Sequence, residues 1–242
     1  MHSGSLIDLS IIIPVYNEVD NITDLYQEIV ASLPRDRFQY EVIFVDDGST
    51  DGTIERLRML VKAHPNLHAV YHKRNYGQSA ALLSGAKTAR FSMLVTLDGD
   101  GQNDPADIPH LFRQLVDSRT VVFGNRKKRD DSSVRKLSSR IGNGIRRSLL
   151  KDECPDTGCS LKLFPRDAFL ALPHFNHLHR FLPALFKRAG FRLVNVPVNH
   201  RPRWHGVSKY GVMNRLFVGI HDLIGVRWLL KRPCAPEVSN YE

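Results

Sequence analysis

Cysteine is scarce: Cys154, Cys159 and Cys234 are the only three in 242 residues, with neither CxxC spacing nor an even framework. That excludes a disulfide-stapled secreted fold and leaves a reduced, cytosolic interior as the expected setting. No Cys or His pair lies at a spacing that would complete a zinc site with Cys154 and Cys159, so ordinary packing is expected of both. No window reaches the roughly 18–20 apolar residues of a membrane span. The longest candidate, Leu216–Leu230, is broken by His221, Asp222 and Arg227. Met1–Leu9 lacks the basic start and apolar run of a signal peptide. No GxGxxG follows the first apolar run and no GxxxxGK precedes a Ser or Thr, which disfavours dinucleotide oxidoreductases and P-loop enzymes. The eleven histidines form no HExxH or similar ligand spacing, so they are read as surface or packing residues. Acid is missing too: between Ala168 and His221 there is none, against eight Lys or Arg.

What is present is an uneven charge on a chain long enough for a full core. At 42% hydrophobic, it can bury roughly 70–75% of its unfolded surface. Residues 1–125 carry 11 Lys/Arg against 16 Asp/Glu, and residues 126–242 carry 23 against 9, so the net +9 divides into −5 and +14. The basic half is expected to meet something anionic, such as phosphate, lipid headgroups or nucleic acid. No nucleic-acid motif accompanies it and the acidic half would repel such a partner, so nucleic acid is set aside.

Four strand–polar loop–helix units occupy the first hundred residues. Leu9–Val15, Tyr40–Val45, His68–Tyr71 and Ser92–Leu97 are short apolar runs of strand type. Helices follow, one with Ile22, Leu25, Ile29 and Leu33 on one face and one over Gln78–Ala89. Such a series implies an α/β fold with a mostly parallel, right-handed sheet. A helix from Asp104 through Leu115, strands at Thr120–Gly124, Ser160–Phe164 and Phe191–Val198, and helices at Asp167–Leu172, Leu178–Ala189 and Val212–Arg232 complete the expected order. From Ser138 an amphipathic helix with Ile141, Ile145 and Leu149 is also expected.

Each early strand ends in residues able to grip a nucleotide: Tyr16 and Glu18, Asp47, Asn75, then Asp98 and Asp100. Asp98-Gly99-Asp100-Gly101-Gln102 stands at the carboxyl end of the fourth strand, where open α/β sheets bind ligands. Hard oxygen donors on a turn suit Mg2+ or Mn2+ carrying a substrate's phosphates. Asp46, next to Asp47, is expected to point the other way and serve the turn.

Taken together, IIIPVYNE at 11–18, VDDGSTDGT at 45–53, RNYGQSAAL at 74–82, LDGDGQNDP at 97–105, GNR at 124–126 and WHGVSKYG at 204–211 resemble, in order, family 2 glycosyltransferases of the GT-A fold. DTGCSLKLF at 156–164 and the SKYG segment look most like the branch of dolichyl-phosphate mannose synthases and bacterial polyprenyl-phosphate glycosyltransferases. The resemblance implies a GT-A-type, Rossmann-like catalytic domain over 8–210, an amphipathic, membrane-interfacial helix over 211–232 and a tail over 233–242. It implies an inverting, metal-dependent hexosyltransferase moving a sugar from a nucleotide-diphosphate sugar to a polyprenyl phosphate.

Residue by residue, the resemblance gives Pro14, Tyr16, Glu18, Val45 and Asp47 to the base and ribose pocket. Asp98, Gly99 and Asp100 meet ribose and diphosphate, and Asp100 and Gln102 bind Mg2+ or Mn2+. Arg126, Arg135, Ser139, Arg203 and Lys209 surround the acceptor phosphate or the donor diphosphate. The catalytic set is Asp98, Asp100, Arg126, Arg203 and Lys209. Asp156 either orients acceptor or sugar or caps its turn, and Trp204 and Tyr210 either anchor at a membrane interface or pack internally. Many members of the family continue into transmembrane helices. The expectation here is therefore a peripheral enzyme on the cytosolic face of an anionic membrane, or one anchored by a separate membrane subunit. Transfer to a glycan hydroxyl is the alternative, with Asp156 as first candidate for the base it would need. A non-catalytic nucleotide-binding subunit is the third reading, and it leaves the DGD, GNR and SKY motifs without a use.

Overall fold

The computed structural model describes residues 6–126, 144, 146–204 and 212–232, with the backbone only for 212–218. Its centre is one seven-stranded sheet in the order β3-β2-β1-β4-β6-β5-β7. β1 (Ile7–Val15), β2 (Phe38–Asp46), β3 (Leu67–Tyr71) and β4 (Met93–Thr96) are all parallel, as expected of strands joined by helical crossovers. β5 (Thr120–Arg126) and β7 (Arg192–Val198) are parallel to each other, and β6 (Lys162–Pro165) runs antiparallel between β4 and β5.

Alternation along β1 divides the core in two. Leu9, Ile11, Ile13 and Val15 point to the face covered by α1 (Ile22–Ser32) and α2 (Thr53–Ala63). Ile12 points to the other face, with Ile43, Val45 and Leu94, under α3 (Gln78–Thr88). All of these are fully or almost fully buried, each worth roughly 1.5–3 kcal/mol against exposure. A strand covered on both faces reads as a continuous apolar run, which is how LSIIIPV looked.

Two helices are shorter than the apolar pattern suggests. The expected helix after Asp104 is a 3-10 turn, Pro105–Asp107, followed by α4 (Ile108–Phe112), and Leu115 packs from the chain beyond. Asp104 caps the turn as expected, its carboxylate accepting from the Ala106 amide at 3.0 Å. The expected Leu178–Ala189 helix is split into a 3-10 turn, Leu178–Arg180, and α6 (Leu182–Arg188), restarted by Pro183 in its first turn. α5 (Arg166–Leu170) precedes them, and α7 (Val212–Leu230) closes the described chain. The helix expected from Ser138 lies largely outside the described residues; residues 146–150 are helical. Among the described residues, no helix is long and apolar enough to cross a membrane.

Strand order runs outward from β1 in both directions, to β2 on one side and β4 on the other. Their carboxyl ends diverge there and leave a crevice, which is where the polar loops meet.

Candidate active site

The crevice is a cavity of about 340 Å³. Pro14, Tyr16 and Glu18 reach it from β1, Asp47 from β2, Asn75 and Gln78 from the loop and helix after β3, and Asp98, Gly99, Asp100 and Gln102 from β4. Gly158 and Arg203 enter from the second half of the chain. Residues up to 189 positions apart therefore share one cleft, and all but Val15, Gln78 and Gly158 belong to the sequence-level expectation.

Asp47 does its work through the backbone. Its Oδ1 accepts from the Tyr76 amide at 2.8 Å and meets His72 Nδ1 at 2.8 Å, and its Oδ2 accepts from the Gly77 amide at 2.7 Å. The carboxylate thus fixes the loop from which Asn75 and Gln78 enter the cleft. Asp46, fully buried, accepts from the Gly48 and Ser49 amides and serves its turn as expected. Val45 is a correction: it is wholly buried on the α3 face and is not among the lining residues. It shares its face with Asp47 but lies two residues deeper in β2, where α3 covers it.

At the end of β4, Gln78 Nε2 donates to Asp98 Oδ1 at 2.8 Å. Asp100 is only 6% exposed, and Arg203 holds its Oδ2 at 2.9 Å. The same guanidinium reaches Glu18 Oε1 at 3.1 Å, so one arginine bridges the β1 and β4 sides of the cleft. Burial above all, then the charge of Asp98, lifts the Asp100 pKa to about 6. Gly99 is needed for packing, since a Cβ there would lie 2.6 Å from Val15 Cγ1. Gly101, at φ +73°, lies directly beneath the Trp204 indole, where a Cβ would collide with the ring. Trp204 is thus packed against the loop and the core, with the Arg201 guanidinium 5.0 Å from its ring centroid.

Asp100 and Gln102 provide hard oxygen donors of the type a divalent ion takes. Among the described residues, no three His, Cys, Asp or Glu side chains cluster to hold a metal by themselves. That fits Mg2+ or Mn2+, which is commonly bound by one or two protein oxygens completed by substrate phosphates. Asp98 stands beside Asp100 and adds to the burial that raises its pKa, and a bound cation would favour the ionised form of both.

Arg126 is not a free cation. Its Nε donates to Asp156 Oδ2 at 2.6 Å and its second nitrogen to Asp156 Oδ1 at 2.7 Å, and both side chains are largely buried. Burial opposes the charge, but the carboxylate outweighs it and raises the Arg126 pKa. The Asp156 carboxylate therefore clamps Arg126, and it places Arg126 Nη2 against Gly158 at the cleft wall. Arg135, Ser139, Lys209 and Tyr210 lie outside the described residues. Sequence reasoning passed over Gln78, although it is the first residue of α3 after a glycine and sits inside a motif already singled out. It also passed over Lys162, buried on β6 opposite Thr96, whose ammonium donates to the Cys159 carbonyl and whose pKa is lowered by burial.

A model of the family described as Glycosyl transferase family 2 matches residues 10–172. Over 217 residues the chain is 35% identical to an undecaprenyl-phosphate 4-deoxy-4-formamido-L-arabinose transferase from Edwardsiella ictaluri (strain 93-146), covering 89% of this chain and 66% of that protein. Over 235 residues it is 34% identical to a dodecaprenyl-phosphate galacturonate synthase from Rhizobium johnstonii, covering 95% and 69%. The chain thus spans about two thirds of the length of these relatives. A mannosyltransferase from Pyrobaculum calidifontis, solved in complex with GDP-Man and Mn2+, matches with a TM-score of 0.67 at 21% identity, covering 96% of this chain and 66% of that one. A glucosyl-3-phosphoglycerate synthase from Mycobacterium tuberculosis, solved with Mn2+, UDP and glucosyl-3-phosphoglycerate, matches with a TM-score of 0.66 at 15% identity, covering 93% and 80%. At those identities the likeness is one of fold, and it agrees with the mostly parallel sheet flanked by helices.

Proposed function

Because the chain belongs to glycosyl transferase family 2, we propose that it is an inverting glycosyltransferase moving a sugar from a nucleotide-diphosphate sugar to a polyprenyl phosphate. The observation that carries this reading is the convergence of Tyr16 and Glu18 with Asp98, Asp100 and Gln102 around one cleft bridged by Arg203. The lipid acceptor is supported by the relatives named for undecaprenyl and dodecaprenyl phosphate.

In this reading Tyr16 stacks on the base, Glu18 accepts from ribose hydroxyls, and Asp47 shapes the pocket through the backbone of residues 76–77. Asp100 and Gln102 would hold Mg2+ or Mn2+, which when bound supplies Lewis-acid neutralisation of the leaving diphosphate. Gln78 keeps Asp98 facing the cleft. Arg203, with Arg126, Arg135, Ser139 and Lys209, receives the acceptor phosphate. That phosphate is already an anionic nucleophile, so positioning and charge stabilisation suffice without a strong base. The engagement of both Asp156 oxygens by Arg126 weighs against the glycan-hydroxyl alternative, for which Asp156 was the candidate base.

The described part of α7 supports membrane contact. Ile220, Ile224 and Trp228, four residues apart along one face, are 47%, 64% and 61% exposed, and Arg227, Lys231 and Arg232 accompany them. Such a face would lie on an anionic lipid surface at the cytosolic side, cations towards the headgroups. The test is transfer from radiolabelled UDP- and GDP-sugars into undecaprenyl phosphate in detergent with Mn2+. Metal-dependent label in the organic extract is expected. Label appearing only in a water-soluble glycan would overturn the acceptor assignment.

A further inference from the structure

The metal loop is not free-standing, because the segment after β7 is laid along it. Asn103 and His200 form an antiparallel bridge, the Arg201 amide donates to the Gln102 carbonyl at 3.0 Å, and the Trp204 amide donates to the Asp100 carbonyl at 3.4 Å. The Arg201 side chain then turns back over the loop. One of its nitrogens donates to the Asn103 carbonyl at 3.1 Å, and its fork meets Glu28 of α1 at 2.5 and 2.8 Å.

Gln102 sits within this grip. Its Nε2 donates to the Arg201 carbonyl at 3.4 Å, which fixes the amide and leaves Oε1 as the atom a cation would take. We propose that Glu28 and Arg201 are positioning residues for the divalent-ion site, holding Gln102 in the orientation that presents its carbonyl oxygen to the cleft. The inference rests on the metal reading given above. Neither residue lines the cleft, and Glu28 lies on a helix whose other face is core. Glu28 and Arg201 are 30% and 29% exposed in their side chains, so the pair contributes little to stability by itself. Its bidentate geometry is that of a device for holding a guanidinium in one orientation.

The experiment is calorimetric titration of the full chain with MnCl2, together with thermal melts, for wild type, Asp100→Asn, Glu28→Gln and Arg201→Lys. Partners behind a metal ligand typically change affinity by roughly tenfold or more. Glu28→Gln is expected to weaken Mn2+ binding about tenfold with its melting transition retained. Arg201→Lys keeps the charge but loses the fork, and should weaken binding to a similar degree. Wild-type affinity in both folded variants would overturn the positioning role while leaving the metal site standing, provided Asp100→Asn still weakens binding. Absence of Mn2+ binding in wild type would overturn both. Loss of folding in both variants would make the pair a folding element and overturn the role equally.

Discussion

Lowering the pH from 7.5 to 5 should weaken Mn2+ binding about tenfold, through Asp100. In the metal-free protein its pKa stands at about 6, chiefly because the side chain is buried and secondly because Asp98 is beside it. A cation needs the carboxylate ionised. At pH 5 roughly a tenth of the molecules have it so, and at pH 7.5 nearly all do. The same shift fixes the sign of the stability change. The unfolded chain ionises this group near 3.8 and the folded one near 6, so between those values the folded state binds more protons. Stability contributed by Asp100 therefore falls as pH rises through that window, by at most roughly 3 kcal/mol, and stays lost above it. Bound Mn2+ restores it. The assay is calorimetry with MnCl2 at pH 5, 6 and 7.5, paired with urea unfolding of wild type and Asp100→Asn. The variant should gain on wild type towards pH 7.5 and bind Mn2+ poorly throughout. A wild-type affinity that is flat from pH 5 to 7.5 would refute the reasoning.

Asp100→Ala should abolish transfer at saturating Mn2+ while the melting transition survives, as read by label incorporation and circular dichroism. Asp156→Asn, by stripping Arg126 of a buried counter-charge, should cost about 3–5 kcal/mol in urea unfolding. Arg126→Ala removes the counter-charge of the buried Asp156, so it should lose stability as well as transfer; unchanged unfolding would show the clamp to be energetically idle. Gly99→Ala should lower stability by about 1–3 kcal/mol, because the new methyl meets Val15 at the end of β1. Ile224→Ser with Trp228→Ser should abolish flotation with phosphatidylglycerol vesicles, and wild-type flotation of that variant would remove α7 from the membrane contact.

The parallel half of the sheet was legible because its strands are covered on both faces, which writes Leu9–Val15 and Tyr40–Val45 as unbroken apolar runs. The cleft residues were legible because they sit where such runs stop. The direction of β6 leaves no such trace, since SLKLF alternates identically read up or down the sheet. Asp47 looked like a ligand group because its composition and place say so, yet its two oxygens are taken by amides some thirty residues further on. Val45 was misplaced by depth rather than by face, since it lies inside β2 under α3 while Asp47 stands beyond the strand's end. The Arg126–Asp156 and Glu28–Arg201 pairs span 30 and 173 residues, and no local pattern announces which carboxylate an arginine will find.

The reversed strand gives the molecule a working rim and an idle one. Because β6 runs against its neighbours, the loop before it, carrying Asp156 and Gly158, comes up beside the loops that follow the parallel strands. The opposite rim gathers the turns that lead into β2, β3, β5 and β7, and none of them supplies a wall of the cavity. A fluorophore or affinity handle grafted near Val116, which is 68% exposed just ahead of β5, would therefore ride on the quiet side, leaving the mouth of the cleft unobstructed.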